Sequence, residues 1–339
     1  MSSGIATAVI GCGFMGENHA HAVSDHALLS LDSVVDVDAE RAEEVAATYD
    51  ADVALTAFEA ALSRADAAVI ATPEPYHHEQ ATAAIEAGVH TLVEKPIASD
   101  IDAAADLVAT ARDAAVETGV SFVLRYDEAY GTVHDRVDRG AFGEFVAARL
   151  KRGITIDESR RIGGRGHPLF YMNIHDVDAL LACRDVPVTE VVAYERRGEL
   201  DDVDVPDAVQ ALLRFSDGAT ATLEGYGVLP SSTPGGIDAA FEVVGTEGTA
   251  TVTTPGNAIE TLTGGFDRPD TRHWPTVDGR MRGAVREQIN RFAAAITGDE
   301  SLAASVHDGY RAQRVCEAIR LALDREAPVD PRDVGPTFP

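Results

Sequence analysis

The 339-residue chain reads as an α/β protein: a doubly wound parallel sheet over residues 1–125, then an α+β domain with a large, open, mostly antiparallel sheet over 126–339. Three observations predict this. Short apolar runs alternate with Ala-rich amphipathic stretches as far as residue 125, as when strand and helix take turns. A glycine-rich turn, "IGCGFMG", follows the first run. Beyond residue 125 the runs lengthen, alternate apolar with polar, and are punctuated by turn residues. Two domains also suit the length, at about 100–200 residues each.

Taken in order, strands are predicted at Ile5–Ile10, Leu31–Asp36, Ala67–Ala71, His90–Val93 and Val120–Leu124, with helices such as Ala39–Thr48 and Asp100–Thr118 between them. A helix at Glu128–Arg139 ends at Gly140. Alternating runs follow at Glu144–Lys151, Val188–Arg196, Ala208–Phe215, Thr220–Tyr226, Ala240–Val244 and Thr249–Thr253. "SDG" at 216–218 and "TEG" at 246–248 supply hairpin turns, and helices should cover one face of this sheet. Two helices close the chain, near Met281–Thr297 and Ser305–Asp324. The polar loop Gly264–Gly279 carries the only tryptophan, Trp274, and is placed to lie over a site.

Charge excludes some functions. Acidic residues number 56 against 28 basic, a net charge of −28. Such a surface repels phosphates and anionic lipid, so neither nucleic acid nor membrane is expected as a partner. The acids are spread along the chain rather than gathered in a tail, which argues for a folded protein. Lysine is nearly absent: Lys95 and Lys151 stand beside 26 arginines. This is the composition of a protein from a salt-in halophile, whose self-repulsion is screened in molar salt. Cys12, Cys183 and Cys316 have neither metal-ligand nor disulfide spacing, so no metal is expected. The amino terminus lacks the basic residues of a signal peptide and no apolar run approaches 18 residues, so a reduced, soluble, cytoplasmic protein is expected.

Gly11, Gly13 and Gly16 fit G-x-G-x-x-G between a strand and a helix. The first allows a tight turn, the second lets a pyrophosphate reach the backbone, and the third lets helix and strand pack closely. The phosphates then meet helical N–H groups. Asp36, 20 residues after Gly16, is where a carboxylate meets the adenosine ribose. Asp36 and Asp38 would repel a 2′-phosphate, so NAD is favoured, with NADP as the alternative. Cys12, inside the turn, reads as a small side chain facing the sheet.

Lys95 follows the strand at His90–Val93, at its carboxyl end, where open α/β sheets bind ligands. Pro96 fixes the backbone beside it. In a chain that uses arginine nearly everywhere, a retained ammonium suggests chemistry that a guanidinium does not supply, such as stabilising an alkoxide; a solvated lysine at a strand end is the other reading. In "PLFYMNIHDVDALLAC" (168–183), Phe170, Ile174, Val177 and Leu181 form an apolar helical stripe, and Tyr171, His175 and Asp178 share another face at intervals of four and three. Asp176 points away from that trio. His175 is either a general base oriented by Asp178 or a hydrogen-bonded structural histidine. "SRRIGGRGHP" (159–168) holds Arg160, Arg161, Arg165 and His167; it is an anion clamp or an arginine-rich surface loop.

These residues resemble a known family. "AVIGCGFMGENHAHAV", "ATPEPYHHEQATAAIEAGVHTLVEKPIA", "RGAFGE", "NIHDVDALL" and "WPTVDGRMRGAVREQINRFAAAITGDE" are similar to the glucose-fructose oxidoreductase, inositol dehydrogenase and rhizopine catabolism (Gfo/Idh/MocA) proteins, over nearly the whole chain. The resemblance implies a Rossmann domain, a second domain whose sheet pairs subunits into a homodimer or homotetramer, and NAD- or NADP-linked oxidation of a secondary alcohol of a sugar, sugar derivative or cyclitol. It implies that Lys95 and His175 are catalytic, with Asp178 and Tyr171 beside them. It places Gly11, Gly13, Phe14, Met15, Gly16, Asp36, Thr72, Pro73, His77, Glu94 and Lys95 at the cofactor, and Lys95, Arg125, Arg165 and His175 at the substrate. One departure stands out: inositol dehydrogenase-like members carry an aspartate four residues before the histidine, and here that residue is Tyr171. Asp178 then takes over the relay, or Tyr171 stacks on a sugar ring, or the substrate lacks the hydroxyl that the aspartate would hold. Two functions are carried forward, a polyol or sugar dehydrogenase, with an NADP-dependent or tightly bound-cofactor sugar oxidoreductase as its runner-up, and a non-catalytic dinucleotide sensor. A sensor has no need of both Lys95 and His175.

Overall fold

A computed structural model describes residues 4–163, 167–256, 259–262 and 266–338. The chain divides into two compact units: Met1–Asp127 with Arg272–Tyr310, and Glu128–Thr271 with Arg311–Pro339. Residues 272–310 thus return to the first unit after the chain has passed through the second.

The first unit is built on six parallel strands: β1 (Ile5–Ile10), β2 (Leu29–Val35), β3 (Val53–Leu55), β4 (Ala67–Ile70), β5 (His90–Glu94) and β6 (Thr118–Ser121), in the order β3-β2-β1-β4-β5-β6. The order reverses between β1 and β4, the switch point at which such sheets bind ligands. Central strands buried on both faces must be apolar throughout, and Val9, Ile10, Val69, Ile70, Leu92 and Val93 are each buried. Helices α1 (Phe14–Ser24), α2 (Ala39–Tyr49), α3 (Phe58–Leu62), α4 (His77–Glu86) and α5 (Ile101–Arg112) connect the strands. Asp38 and Asp100 cap α2 and α5 through their carboxylates. The predicted helix to Thr118 stops at Arg112, and β6 starts two residues earlier than predicted. β6 is backed closely by the chain at Ala304: a Cβ at Gly119 would stand 3.2 Å from its carbonyl oxygen, and the next residue, Val120, donates its N–H to that same oxygen.

The second unit holds α6 (Glu128–Asp138), β7 (Phe145–Thr155), α7 (Ile156–Ile162), α8 (Ile174–Ala182), β8 (Val188–Arg196), β9 (Ala208–Phe215), β10 (Thr220–Leu229), β11 (Ile237–Gly245) and β12 (Thr249–Thr254). Its sheet runs β12-β11-β7-β10-β9-β8, antiparallel except for the β7–β10 pair. Period-two alternation sends Leu150, Val209, Leu213, Leu223 and Phe241 inward. Val146, Tyr194 and Leu212 stay exposed on these strands. The turns at 216–218 and 246–248 fall between β9 and β10 and between β11 and β12, as predicted.

The segment returning to the first unit contains α9 (Gly283–Thr297) and the start of α10 (Val306–Arg325). Val285, Ile289 and Phe292 form the buried stripe of α9, and the Arg286 guanidinium donates to the carbonyl of Ala22 at 2.9 Å. Ahead of α9, the backbone N–H of Met281 donates to Asp25 at 3.0 Å. Among the described residues no helix is long and apolar enough to cross a membrane.

Candidate active site

At the switch point β1 ends in the glycine turn. Gly11 has φ +96°, and a Cβ there would stand 2.6 Å from the carbonyl oxygen of Ala71. A Cβ at Gly16 would stand 1.7 Å from the carbonyl oxygen of Gly11, while one at Gly13 would meet nothing within 4 Å. The space above Gly13 is thus open, and Gly13 opens α1 with no side chain capping its first N–H groups. Those groups face outward for an anion. Phe14 is exposed and Met15 half-buried. Asp36 lies beside the turn, accepting the N–H of Cys12 at 2.8 Å and of Asp38 at 3.0 Å, one on each carboxylate oxygen. Each oxygen retains a lone pair for a further donor such as a ribose hydroxyl. The residues therefore fit a dinucleotide. Arg41 donates to the carbonyl of Cys12 and pairs with Glu17 and Glu44, so its charge is already met. Burial, then the Asp36 carboxylate, pushes the Cys12 thiol up to about 12, which keeps it protonated.

These contacts separate two glycines by experiment. Gly13→Ala should fold with an unchanged melting temperature yet bind NAD at least about tenfold more weakly, a loss of 1.4 kcal/mol or more. Gly16→Ala should lose both, since overpacking beside rigid backbone costs about 1–3 kcal/mol. Calorimetric NAD titrations and thermal melts in molar salt check both.

Trp274 belongs to the same unit. Its ring meets that of Phe14 edge-on, with centroids 5.4 Å apart. The adjacent Arg272 pairs with buried Asp127. The tryptophan therefore rests on the first residue of α1. Gly264 and Gly265 lie outside the described residues.

The loops after β4 and β5 carry the next group. His77 is buried, with its ring nitrogens 2.7 Å from the carbonyl oxygens of Thr72 and Pro96, so it ties the two loops together. Thr72 donates its hydroxyl to Gln80, and Pro73 precedes a short 3₁₀ turn. Glu94 ends β5 as a buried carboxylate, held by His19 at 2.8 Å and by the Ser121 hydroxyl at 2.7 Å. Burial pushes its carboxyl up, but the His19 hydrogen bond and charge, the Lys95 ammonium and Ser121 outweigh this and hold it below the ordinary glutamate value. Lys95 is half-buried and its bond to Pro96 is cis. Arg125 donates to the carbonyl of Ala303 at 2.7 Å and lies 3.4 Å from Asp308.

In the second unit, the segment before His175 is not α-helical. Leu169–Asn173 forms a π-turn, and α8 begins only at Ile174. A π-turn advances each residue by less than the 100° of an α-helix, so the spacing of Tyr171 to His175 no longer implies a shared α-helical face. Tyr171 is exposed, His175 half-buried and Asp178 buried. Asp176 enters a contact the sequence reading missed. It is fully buried and takes two hydrogen bonds from the Arg152 guanidinium, at 2.9 and 2.8 Å. Burial opposes the Arg152 charge, and the Asp176 carboxylate outweighs burial and keeps it protonated. Asn173 donates to the same carboxylate at 3.4 Å, and a Cβ at Gly225 would stand 2.4 Å from the Asn173 side-chain oxygen. The pair clamps α8, and with it His175, onto β7. Removing one partner strands a buried charge: Arg152→Met should cost about 3–5 kcal/mol, and Arg152→Met with Asp176→Leu should recover most of it. Urea melts in molar salt measure both.

In the 159–168 loop, Arg161 pairs with Glu158 and Arg160 approaches Asp202 at 3.7 Å. Burial pushes the His167 imidazole below its ordinary value, against Glu195. Arg165 lies outside the described residues.

An open glycine turn at the switch point of a parallel sheet, with a carboxylate at the end of the neighbouring strand, defines a dinucleotide-binding fold. Residues 5–122 match the GFO_IDH_MocA oxidoreductase family with an NAD-binding Rossmann fold, and residues 130–251 match that family's C-terminal domain. The chain belongs to this family, as its motifs suggested. It is 29% identical to the inositol 2-dehydrogenase of Rhizobium meliloti over 91% of this chain and 94% of that one. It is 27% identical to an uncharacterized oxidoreductase, YrbE, of Bacillus subtilis over 97% of each. The apo scyllo-inositol dehydrogenase structure from Lactobacillus casei superposes with a TM-score of 0.85 at 20% identity, covering 98% of this chain and 99% of that one, a likeness of fold.

Proposed function

We propose that this protein is an NAD-dependent dehydrogenase acting on a secondary alcohol of a sugar, sugar derivative or cyclitol. The observation that carries the reading is Lys95: one of two lysines in the chain, half-buried at the carboxyl end of β5, in the same unit as the open glycine turn. The likeness to inositol 2-dehydrogenase supports a polyol substrate.

Gly11, Gly13 and Gly16, with Phe14 and Met15, hold the pyrophosphate of the dinucleotide. Asp36 accepts the ribose hydroxyls, and Thr72, Pro73 and His77 shape the loops beside it. The bound nicotinamide supplies the redox chemistry by taking up or returning a hydride. The Lys95 ammonium donates to the substrate oxygen and stabilises the charge that develops there. His175 takes the hydroxyl proton as general base, and Asp178 supports the imidazole. Arg125 and Arg165 are the further candidates for the substrate. The active form is a homodimer or homotetramer joined through the open sheet face bearing Val146, Tyr194 and Leu212, working in the cytoplasm of a halophile. Mixing the protein with NAD and a panel of polyols in molar salt, and following nicotinamide absorbance, tests the reading. Reduction by at least one polyol is expected. NAD binding without reduction across a broad panel would replace the enzyme with a dinucleotide sensor, and reduction of NADP alone would replace the cofactor.

A further inference from the structure

Three candidates outside the proposed machinery are built rather than merely exposed: the Arg152–Asp176 clamp, the Trp274 loop, and the buried network behind Lys95. The last carries furthest. His19 lies on α1, the helix that opens at the glycine turn, and is wholly buried. Its Nε2 stands 2.8 Å from Glu94. Ser121 of β6 donates to the same carboxylate oxygen at 2.7 Å, and the Gln288 amide of α9 lies 3.3 Å from that hydroxyl. The other carboxylate oxygen accepts the backbone N–H of Lys95 at 3.3 Å. A buried carboxylate is costly unless its lone pairs are met. Here α1, β6 and the Lys95 backbone meet them. A buried carboxylate on the residue before the lysine also favours the ammonium's protonated form.

We propose that Glu94, anchored by His19, is a positioning residue for Lys95: it fixes the lysine backbone and keeps its side chain charged. Glu94 then faces inward and acts through Lys95, rather than on the cofactor as the family resemblance implies. Because His19 sits on the helix that receives the dinucleotide, the same contact links that helix to the lysine. The inference rests on the catalytic reading of Lys95 only for its functional consequence. The charges facing Glu94 are those of His19 and Lys95; Ser121 and Gln288 face it as neutral groups.

Two lysines make the test direct. Reductive methylation with ¹³C-formaldehyde gives one dimethyl-lysine signal each from Lys95 and Lys151, assigned with Lys151→Arg and titrated by NMR in molar salt. Glu94→Gln should lower the Lys95 midpoint by about one pH unit, a tenfold change in proton affinity. His19→Leu should lower it in the same direction, since a carboxyl without its partner neutralises when buried. His19→Gln, which restores a donor at that position, should recover most of the shift. The alkaline limb of kcat should move down with the midpoint. A Lys95 midpoint unchanged in folded Glu94→Gln overturns the proposal, whatever the activity. If His19→Leu does not fold, Glu94→Gln and Ser121→Ala carry the same comparison. A shifted midpoint in a protein that turns over no polyol would uphold the linkage and sink the dehydrogenase reading; normal turnover with an unshifted midpoint would do the reverse.

Discussion

His175→Ala is expected to lower kcat by about 10²–10⁴-fold, the range over which a positioned general base contributes. NAD binding should change less than about threefold, because the glycine turn and Asp36 belong to the other unit. Imidazole suits the task because its ordinary pKa lies close to neutral, so it is free to accept a proton and release it again at working pH. The loss should fall on kcat rather than on KM for NAD, and steady-state rates over a pH series in molar salt would show it. Full turnover in the variant would remove His175 from the chemistry. Lys95→Arg is the companion. A guanidinium keeps the charge but presents a planar fork in place of a point donor, so an unchanged rate would remove the case for an ammonium.

Withdrawal of salt is expected to have the second large effect. If every basic residue were paired one-to-one with an acid, 56 minus 28, or 28, carboxylates would still lack a partner in the chain. Arginines such as Arg64, Arg149 and Arg332 are already committed to neighbouring acids. The Debye length is about 3 Å at 1 M salt and about 30 Å at 0.01 M, so dilution exposes each surface carboxylate to many others. The melting temperature should fall by about 10 °C or more between molar and millimolar salt, at about 2–4 °C per kcal/mol for units of this size. Circular dichroism melts across a sodium chloride series measure this. A melting temperature independent of salt would refute the halophilic reading.

Much of the fold was legible because it rests on local rules. The parallel strands announced themselves as apolar runs, and Asp36 by its distance from the glycine turn. β3 escaped notice because three half-buried residues have no measurable period. The π-turn before α8 was invisible because its residues have ordinary helical composition, and the change of pitch is set by packing. Asp176 and Arg152 illustrate a signal that was present but unread. In β7 the inward positions are Ala148, Leu150 and Arg152, so period two alone places an arginine in the core, where it requires an acid. Similarly, the stripe on α9 says that the helix is buried without saying against which unit. That choice depends on long-range contacts such as Arg286 to Ala22.

The return of 272–310 to the first unit bears on how the protein is made. A domain of one unbroken stretch can fold on the ribosome while later residues are still being added. Here the dinucleotide unit lacks α9 and the Ala304 contact until about residue 310 has been synthesised, roughly 15–60 s after initiation at 5–20 residues per second. The second unit waits longer still, for residues 311–339. Neither half can complete before most of the chain has been made. A shortened gene product ending near residue 125 would leave the nascent strands without their last helix, prone to aggregation rather than to nucleotide binding.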